Sequence, residues 1–149
     1  MVAIDDIKQL REETSMSYMD VKRALEEGGG DVEKTRQLLA SRGQEIAKKK
    51  QERETEEGII ETYLHSTKKS GVLLDLGCET DFVAKSPDFQ NLAHELVLQI
   101  AAMKADSSEE LLSQEYIKDP SKKVGDVVQE YIAKLGENIV INRFERYQI

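Results

Sequence analysis

Few residues of this sequence are of the types that catalyse reactions, and their spacing favours no reaction. Cys78 is the only cysteine, and His65 and His94 are the only histidines. A cysteine beside a histidine could form a nucleophile and its base. Cys78, however, falls on the apolar side of an alternating segment, and free cysteines are among the most buried residues of proteins. We therefore predict a core cysteine and no catalytic residue.

Metal, phosphate and disulfide chemistry are disfavoured as well. One cysteine and two histidines cannot by themselves supply the four ligands of a structural zinc site, so we expect neither a metal nor a cofactor. Gly28-Gly29-Gly30 lacks the lysine and the Ser or Thr of a phosphate loop, and a lone cysteine excludes an internal disulfide. Glu79 and Asp81 lie on one side of an extended chain, but nothing nearby resembles a substrate cleft. The chain is predicted not to be an enzyme.

One segment, Cys78 to Lys85, places a large aromatic ring where rings are normally avoided. It connects a predicted strand to a helix that begins at Pro87, so it should lie on the surface. Phe82 stands there directly after Asp81. Two interpretations are open. Either the ring folds back against the following helix, or it is an aromatic anchor with an adjacent acid that enters a partner's pocket.

The composition limits the partners that such a segment could meet. The formal net charge is −8, and 34% of the residues are charged, above the roughly 25% of an average globular protein. An acidic balance disfavours a broad nucleic-acid surface. No window approaches the roughly 18 apolar residues of a membrane helix, and the first residues lack the features of a signal peptide. We expect a cytoplasmic protein without nucleic-acid or membrane partners.

Three short helices are predicted within residues 1–45. Apolar residues recur at helical spacing in each, and Ser17 and Asp31 are suitable N-caps for the second and third. Gly28-Gly29-Gly30 should end the second helix, because glycine tolerates the left-handed conformation at a helix C-terminus. Gly43 is expected to end the third. A bundle this small has no room for a deep pocket, so residues 1–45 are predicted to form a docking module.

A polar segment, residues 46–57, follows the predicted bundle. It contains Lys48-Lys49-Lys50 and then four glutamates, with no proline or glycine before Gly58. Such balanced charge is more typical of a solvated helix than of a nucleic-acid contact. We predict a helical linker that packs against little.

Residues 58–149 alternate between strand and helix patterns. The predicted elements are a hairpin of strands Ile59 to His65 and Val72 to Cys78, a helix from Pro87 whose apolar stripe reaches Met103, a short helix over 107–114, a helix after the Asp119-Pro120 break that ends at Gly136, and a last strand from Ile139 to Tyr147. This order predicts an α+β protein: a three-helix bundle, a helical linker, and a small antiparallel three-stranded sheet with helices on one face.

The segment Thr80-Asp81-Phe82-Val83, directly after Cys78-Glu79, resembles the signature of the elongation factor Ts family, the nucleotide exchange factors of elongation factor Tu. The start of the chain is similar to that family's ubiquitin-associated-like module, in Leu10-Arg11-Glu12-Glu13-Thr14 and Lys22-Arg23-Ala24-Leu25. The end, Leu135-Gly136-Glu137-Asn138-Ile139, is similar to its closing strand. The chain departs from the family pattern at Ser15-Met16-Ser17-Tyr18, and it has one half-core where larger members have two and a helical hairpin insertion.

The resemblance implies a function in translation elongation. The Thr80-Asp81-Phe82-Val83 segment would enter elongation factor Tu near its Mg²⁺ and nucleotide site and promote release of GDP, and the chain would bind both the GDP-bound and the nucleotide-free partner. Tyr18, Met19 and Lys22 would contact the same partner from the N-terminal module. Residues 58–149 would form a homodimer that supplies the second half-core.

An alternative from another functional class stays open. The N-terminal module could be a ubiquitin-associated-like adaptor that binds a peptide or a ribosomal protein, with the α+β unit as a passive dimerisation unit. Exchange activity would depend on Phe82, whereas adaptor activity would not.

Overall fold

The chain begins with three helices, as predicted, in a computed structural model that describes residues 2–149. Ser17 caps the second helix by accepting a hydrogen bond from the Asp20 N–H, and the Asp31 side chain caps the third. Gly29 and Gly30 have φ angles of 65° and 84°, a region that glycine adopts at little cost, and they turn the chain between these helices. The three helices are α1 (Ile4–Thr14), α2 (Tyr18–Glu27) and α3 (Val32–Lys50).

These helices enclose a small apolar core of their own. Its buried members are Ile7, Leu10, Val21, Ala24, Leu25 and Leu39. On the surface, Arg36 of α3 pairs with Glu13 of α1 at 2.8 Å. The hydrogen bonds from the Arg36 guanidinium, with a further one from Gln9, lower the pKa of Glu13 to about 2.

An α+β unit follows, and it confirms the predicted fold class. Its elements are β1 (Glu57–Leu64), β2 (Ser70–Cys78), α4 (Asp81–Ala84), α5 (Pro87–Ala102), α6 (Ser108–Ser113), β3 (Glu115–Tyr116), β4 (Asp119–Lys123), α7 (Val124–Leu135) and β5 (Ile139–Gln148). An antiparallel three-stranded sheet has the strand order β1-β2-β5, and β3 and β4 form a separate hairpin.

The sheet has one covered face and one open face. Alternate residues of β2, from Val72 to Cys78, are buried in the main core, which the helices complete, because successive side chains of a strand point to opposite faces. Leu73 lies on the other face, and the register of the sheet brings further apolar residues to that side. We call this the open sheet face; its exposed apolar residues are Ile60, Leu64, Leu73, Val140 and Tyr147.

The predictions for α3 and for the linker are wrong in part. Helix α3 does not end at Gly43 but continues to Lys50, residues 51–56 are not helical, and β1 already begins at Glu57. The segment also packs, since Ala47 is fully buried in the main core and α3 contacts α7. The Nζ of Lys50 donates a hydrogen bond of 2.6 Å to the Gly136 carbonyl at the end of α7. Tertiary packing outweighs the helix-weakening effect of one glycine.

The β3–β4 hairpin was not predicted, because Asp119-Pro120 was expected only to break the chain. The fully buried Gln99 of α5 holds it, since its side chain accepts a hydrogen bond from the Ile117 N–H at 2.9 Å and donates one to the Glu115 carbonyl at 3.0 Å. A two-residue strand is too short to show alternation, so long-range polar contacts decide its conformation. Met103, predicted on the inward stripe of α5, is instead exposed beyond the end of that helix.

Candidate partner-binding site

Phe82 is exposed on a one-turn helix rather than in a loop. Helix α4 covers Asp81–Ala84, and the Oγ1 of Thr80 caps it by accepting a hydrogen bond of 3.3 Å from the Val83 N–H. The Phe82 side chain is 87% exposed. The interpretation in which the ring folds back against the following helix is therefore wrong, and the ring is available to a partner.

The other side of this turn is anchored in the protein. Val83 and Ala84 are buried in the main core, and the Oγ of Ser86 donates a hydrogen bond of 2.7 Å to the Val83 carbonyl. The four residues of α4 thus divide into an inner and an outer pair. We call residues 80–84 the Phe82 turn, a short segment, anchored on its inner side, that holds one aromatic ring in solvent.

Asp81 presents a carboxylate beside that ring. Its Oδ2 lies 2.9 Å from the Nζ of Lys85, one helical turn further on, and both side chains are largely exposed. The hydrogen bond raises the pKa of Lys85. Exposed pairs of this kind contribute little free energy, so Asp81 can exchange Lys85 for another cationic partner at low cost.

Cys78 lies in the core, as predicted. Its side chain is fully buried, and its Sγ donates a hydrogen bond of 3.2 Å to the Thr80 carbonyl. Burial is the main cause that raises the pKa of the Cys78 thiol to about 11, so the thiol is protonated at neutral pH. His65 and His94 are both exposed. Within residues 2–149 no hydrogen bond joins Cys78 to a histidine.

Two glutamates hold the beginning of the Phe82 turn, and the sequence analysis assigned them no such role. The Glu137 carboxylate, between α7 and β5, accepts hydrogen bonds from the Glu79 N–H at 3.1 Å, the Thr80 N–H at 2.9 Å and the Thr80 hydroxyl at 2.7 Å. In return, the Glu79 carboxylate accepts a hydrogen bond of 2.7 Å from the Asn138 N–H. We call this reciprocal pair the glutamate clamp. The only local sign of the clamp in the sequence is the polar pair Glu137-Asn138, which lies between Gly136 at the end of α7 and the start of β5.

The N-terminal residues predicted to contact a partner lie on α2. Tyr18 is the first residue of that helix, and Tyr18 and Met19 are both exposed. Lys22 lies one turn further and is half-buried. In the described part of the chain no hydrogen bond connects these residues to the Phe82 turn. Their contact with a partner stays a prediction.

Other kinds of site find no support in the described residues. A groove of about 580 Å³ lies between α1, α3, β4 and α7, and it contains none of the predicted site residues. Within residues 2–149 no three His, Cys, Asp or Glu side chains are grouped so that they could hold a metal ion. Over the same range, no helix combines the length and apolar character needed to cross a membrane.

Comparison with known proteins relates the chain to one protein family. A family model described as Elongation factor TS matches residues 79–149, a range that contains the Phe82 turn and both glutamates of the clamp. The elongation factor Ts of Rubrobacter xylanophilus is 42% identical over 191 aligned positions, which cover 98% of this chain and 98% of that protein. The elongation factor Ts of Thermotoga neapolitana is 39% identical over 191 positions, covering 99% and 97%.

The relatives differ from this chain in length. Because 191 aligned positions exceed the 149 residues of the chain, those two relatives have residues without a counterpart here. The elongation factor Ts of Aquifex aeolicus is 42% identical over 151 positions, which cover 98% of this chain but 52% of that protein. The chain thus corresponds to about half of the Aquifex relative.

Proposed function

The chain belongs to the elongation factor Ts family, and from this we propose that it binds elongation factor Tu carrying GDP and promotes release of the nucleotide, so that GTP can bind. The observation that carries the proposal is the 87% exposed Phe82 ring. A ring that projects into solvent from a turn anchored in the core can enter a partner's pocket, and buried aromatic anchors dominate the energetics of many interfaces.

We propose a part in this function for each of the four residues from Thr80 to Val83. Phe82 would enter an apolar cleft of the partner and bury on the order of 150–250 Å² there. Asp81, held only by an exposed lysine, would act beside the Mg²⁺ and nucleotide site of the partner. Thr80 caps the turn and Val83 anchors it in the core, so these two residues fix the position from which the ring enters.

Nucleotide exchange follows from the coupling of two binding equilibria, that of the nucleotide and that of this protein, and not from a covalent reaction. A GTPase holds GDP through its phosphate loop and a Mg²⁺ ion that bridges phosphate oxygens. A protein that binds the nucleotide-free GTPase more tightly weakens nucleotide binding by the same factor by which nucleotide weakens its own binding. No covalent bond of a substrate changes, so this function requires no catalytic residue in the chain.

The rest of the chain supports this activity by docking and pairing. We propose that residues 1–45 dock on the partner through Tyr18, Met19 and Lys22, and that residues 58–149 carry the exchange activity. The end of α3 and the non-helical residues 51–56 connect these two parts. We also propose that two copies pair through the open sheet face. The 52% coverage of the Aquifex relative supports this pairing, since a second copy would supply what the longer relative has in one chain.

Substitution of Phe82 tests the exchange function against the adaptor alternative. Phe82→Ala should slow the release of fluorescent GDP from elongation factor Tu by at least about tenfold, because loss of an interface anchor commonly costs ~2 kcal/mol or more. Asp81→Ala should slow it less, since the acid fills no pocket. The melting temperature should hardly change, because the ring is exposed.

Ile117→Ala is the matched control, because it truncates another exposed apolar side chain, which lies in the β3–β4 hairpin and not on α4. It should leave nucleotide release unchanged. If a folded Phe82→Ala variant stimulates GDP release from elongation factor Tu as fast as the original protein does, the result would argue for the adaptor and against exchange.

A further inference from the structure

We infer that Glu137 is a positioning residue for nucleotide exchange: its carboxylate clamps the start of the Phe82 turn and so fixes where the ring stands before the partner arrives. The inference rests on the proposed exchange function. It adds a residue 55 positions away from Phe82 in the sequence.

The first support is the number of donors that converge on one side chain. Glu137 Oε1 accepts two successive backbone N–H groups, those of Glu79 and Thr80, and Oε2 accepts the Thr80 hydroxyl. The Thr80 hydroxyl oxygen in turn accepts the Val83 N–H. A continuous chain of hydrogen bonds therefore runs from the Glu137 carboxylate to the backbone of the turn that carries Phe82.

The second support is that the clamp works in both directions. The Asn138 N–H donates a hydrogen bond to Glu79 Oε1 at 2.7 Å. The Glu137 carboxylate therefore holds the backbone at residues 79–80, and the Glu79 carboxylate holds the backbone at Asn138. Asn138 is itself buried, and its Nδ2 donates to the Arg53 carbonyl at 2.8 Å. Three chain segments, around residues 51–53, 79–80 and 137–138, are thus joined behind the Phe82 turn.

The third support is that the turn needs such a clamp. Helix α4 has four residues, far fewer than the 12 to 15 that an isolated helix needs for even marginal stability. Two of the four, Asp81 and Phe82, are exposed and contribute no packing. Ordering even one residue's backbone is costly, so an unclamped turn would spend less time in the conformation that presents the ring.

Three variants of one position test the inference. Glu137→Ala removes all three acceptors and should slow stimulated release of fluorescent GDP from elongation factor Tu by roughly tenfold, through the lower population of the presented turn. Glu137→Gln keeps a carbonyl oxygen for the two N–H groups and should restore most of the rate. Glu137→Asp, which is one methylene shorter, should fall between them and serves if the alanine variant does not fold. Glu109→Ala, at an exposed glutamate of α6, is the matched control.

Amide hydrogen exchange provides a readout that does not depend on the partner. The Glu79 and Thr80 amides should exchange slowly in the original protein, faster in Glu137→Ala or Glu137→Asp, and slowly again in Glu137→Gln.

A double variant tests whether the clamp acts through the ring. With Phe82→Ala/Glu137→Ala, GDP release from elongation factor Tu should be no slower than with Phe82→Ala alone, because the ring on which the clamp acts is already absent.

The outcomes separate the two claims. If Phe82→Ala does not slow release, the exchange function fails, while the amide data still decide whether Glu137 orders the turn. If Phe82→Ala slows release but a folded Glu137→Ala or Glu137→Asp does not, the positioning role is overturned. Unchanged protection of the Glu79 and Thr80 amides in these variants would overturn it as well.

Discussion

Cys78 and Phe82 lie four residues apart and have opposite environments. The thiol is buried beneath the turn, whereas the ring stands in solvent. The reason is the change from strand to one-turn helix between them, which rotates successive side chains from the core to the surface. The residue with the more reactive chemical group is therefore inaccessible, and the chemically inert ring is the one that a partner can reach.

The raised pKa of Cys78 gives a stability that depends on pH. The pKa of the thiol is about 11 in the folded protein and 9.0 when unperturbed. Between these values the unfolded chain loses the proton while the folded protein keeps it, so this contribution is complete below pH 9 and is lost as the pH rises toward 11. Over this pH range the free energy of unfolding of the wild type should fall by up to about 2 kcal/mol relative to that of Cys78→Ala.

Urea unfolding of both proteins at pH 8 and pH 10.5 measures this difference. Tyr116, whose pKa burial raises to about 12, is present in both proteins and cancels in the comparison. A stability gap between wild type and Cys78→Ala that stays constant with pH would contradict the assignment.

Among the elements, α3 links the two parts of the molecule. Its first half closes the small N-terminal core through Leu39, and its second half joins the main core through Ala47. Gly43 lies between them, where α3 faces α7. A Cβ atom at Gly43 would meet the Cβ of Ala133 at 3.7 Å, an ordinary van der Waals distance. The position therefore has room for a methyl group.

Gly43→Ala should stabilise the protein. Glycine inside a helix is less favourable than alanine by roughly 0.5–1 kcal/mol, and the added methyl group would also pack against α7. For a chain of this length the gain corresponds to roughly 1–4 °C in melting temperature. Gly43→Leu should instead lower it, because the larger side chain would push α3 away from Ala133. Thermal melts followed by circular dichroism measure both, and a lower melting temperature for Gly43→Ala would contradict the described packing of α3 on α7.

At the scale of the whole molecule, the open sheet face is the surface through which we propose that two copies pair. Five apolar side chains share it, and Leu73 in its central strand is 50% exposed. Contiguous apolar surface of this kind marks interaction sites, and a two-fold pairing would cover the same face of each copy.

Leu73→Asp should therefore convert a dimer into a monomer. Sedimentation equilibrium at micromolar concentration should give twice the mass of one chain for wild type and the mass of one chain for the variant, because a charge at the centre of an apolar interface is costly to desolvate. Ile117→Asp, at an exposed apolar residue outside this face, should stay dimeric. A monomeric wild-type protein at that concentration would overturn the pairing.

Local signals in the sequence determined most elements of this protein. Ser17, Asp31 and Ser86-Pro87 mark helix starts through groups that act within a few residues, and the alternation from Val72 to Cys78 identifies a half-buried strand. The Phe82 segment stands out in the same local way, since a large ring in a surface connection is unusual whatever the fold.

Only the tertiary structure decided the features that depend on distant partners. Helix α3 continues past Gly43 because α7 lies against it, and the β3–β4 hairpin exists because Gln99 binds its backbone. The direction of the Phe82 ring and the clamp by Glu137, 57 positions from Thr80, follow from how the chain folds back on itself. Contacts across such separations leave no periodic pattern in the sequence, because each side chain is selected by a neighbour that only folding supplies.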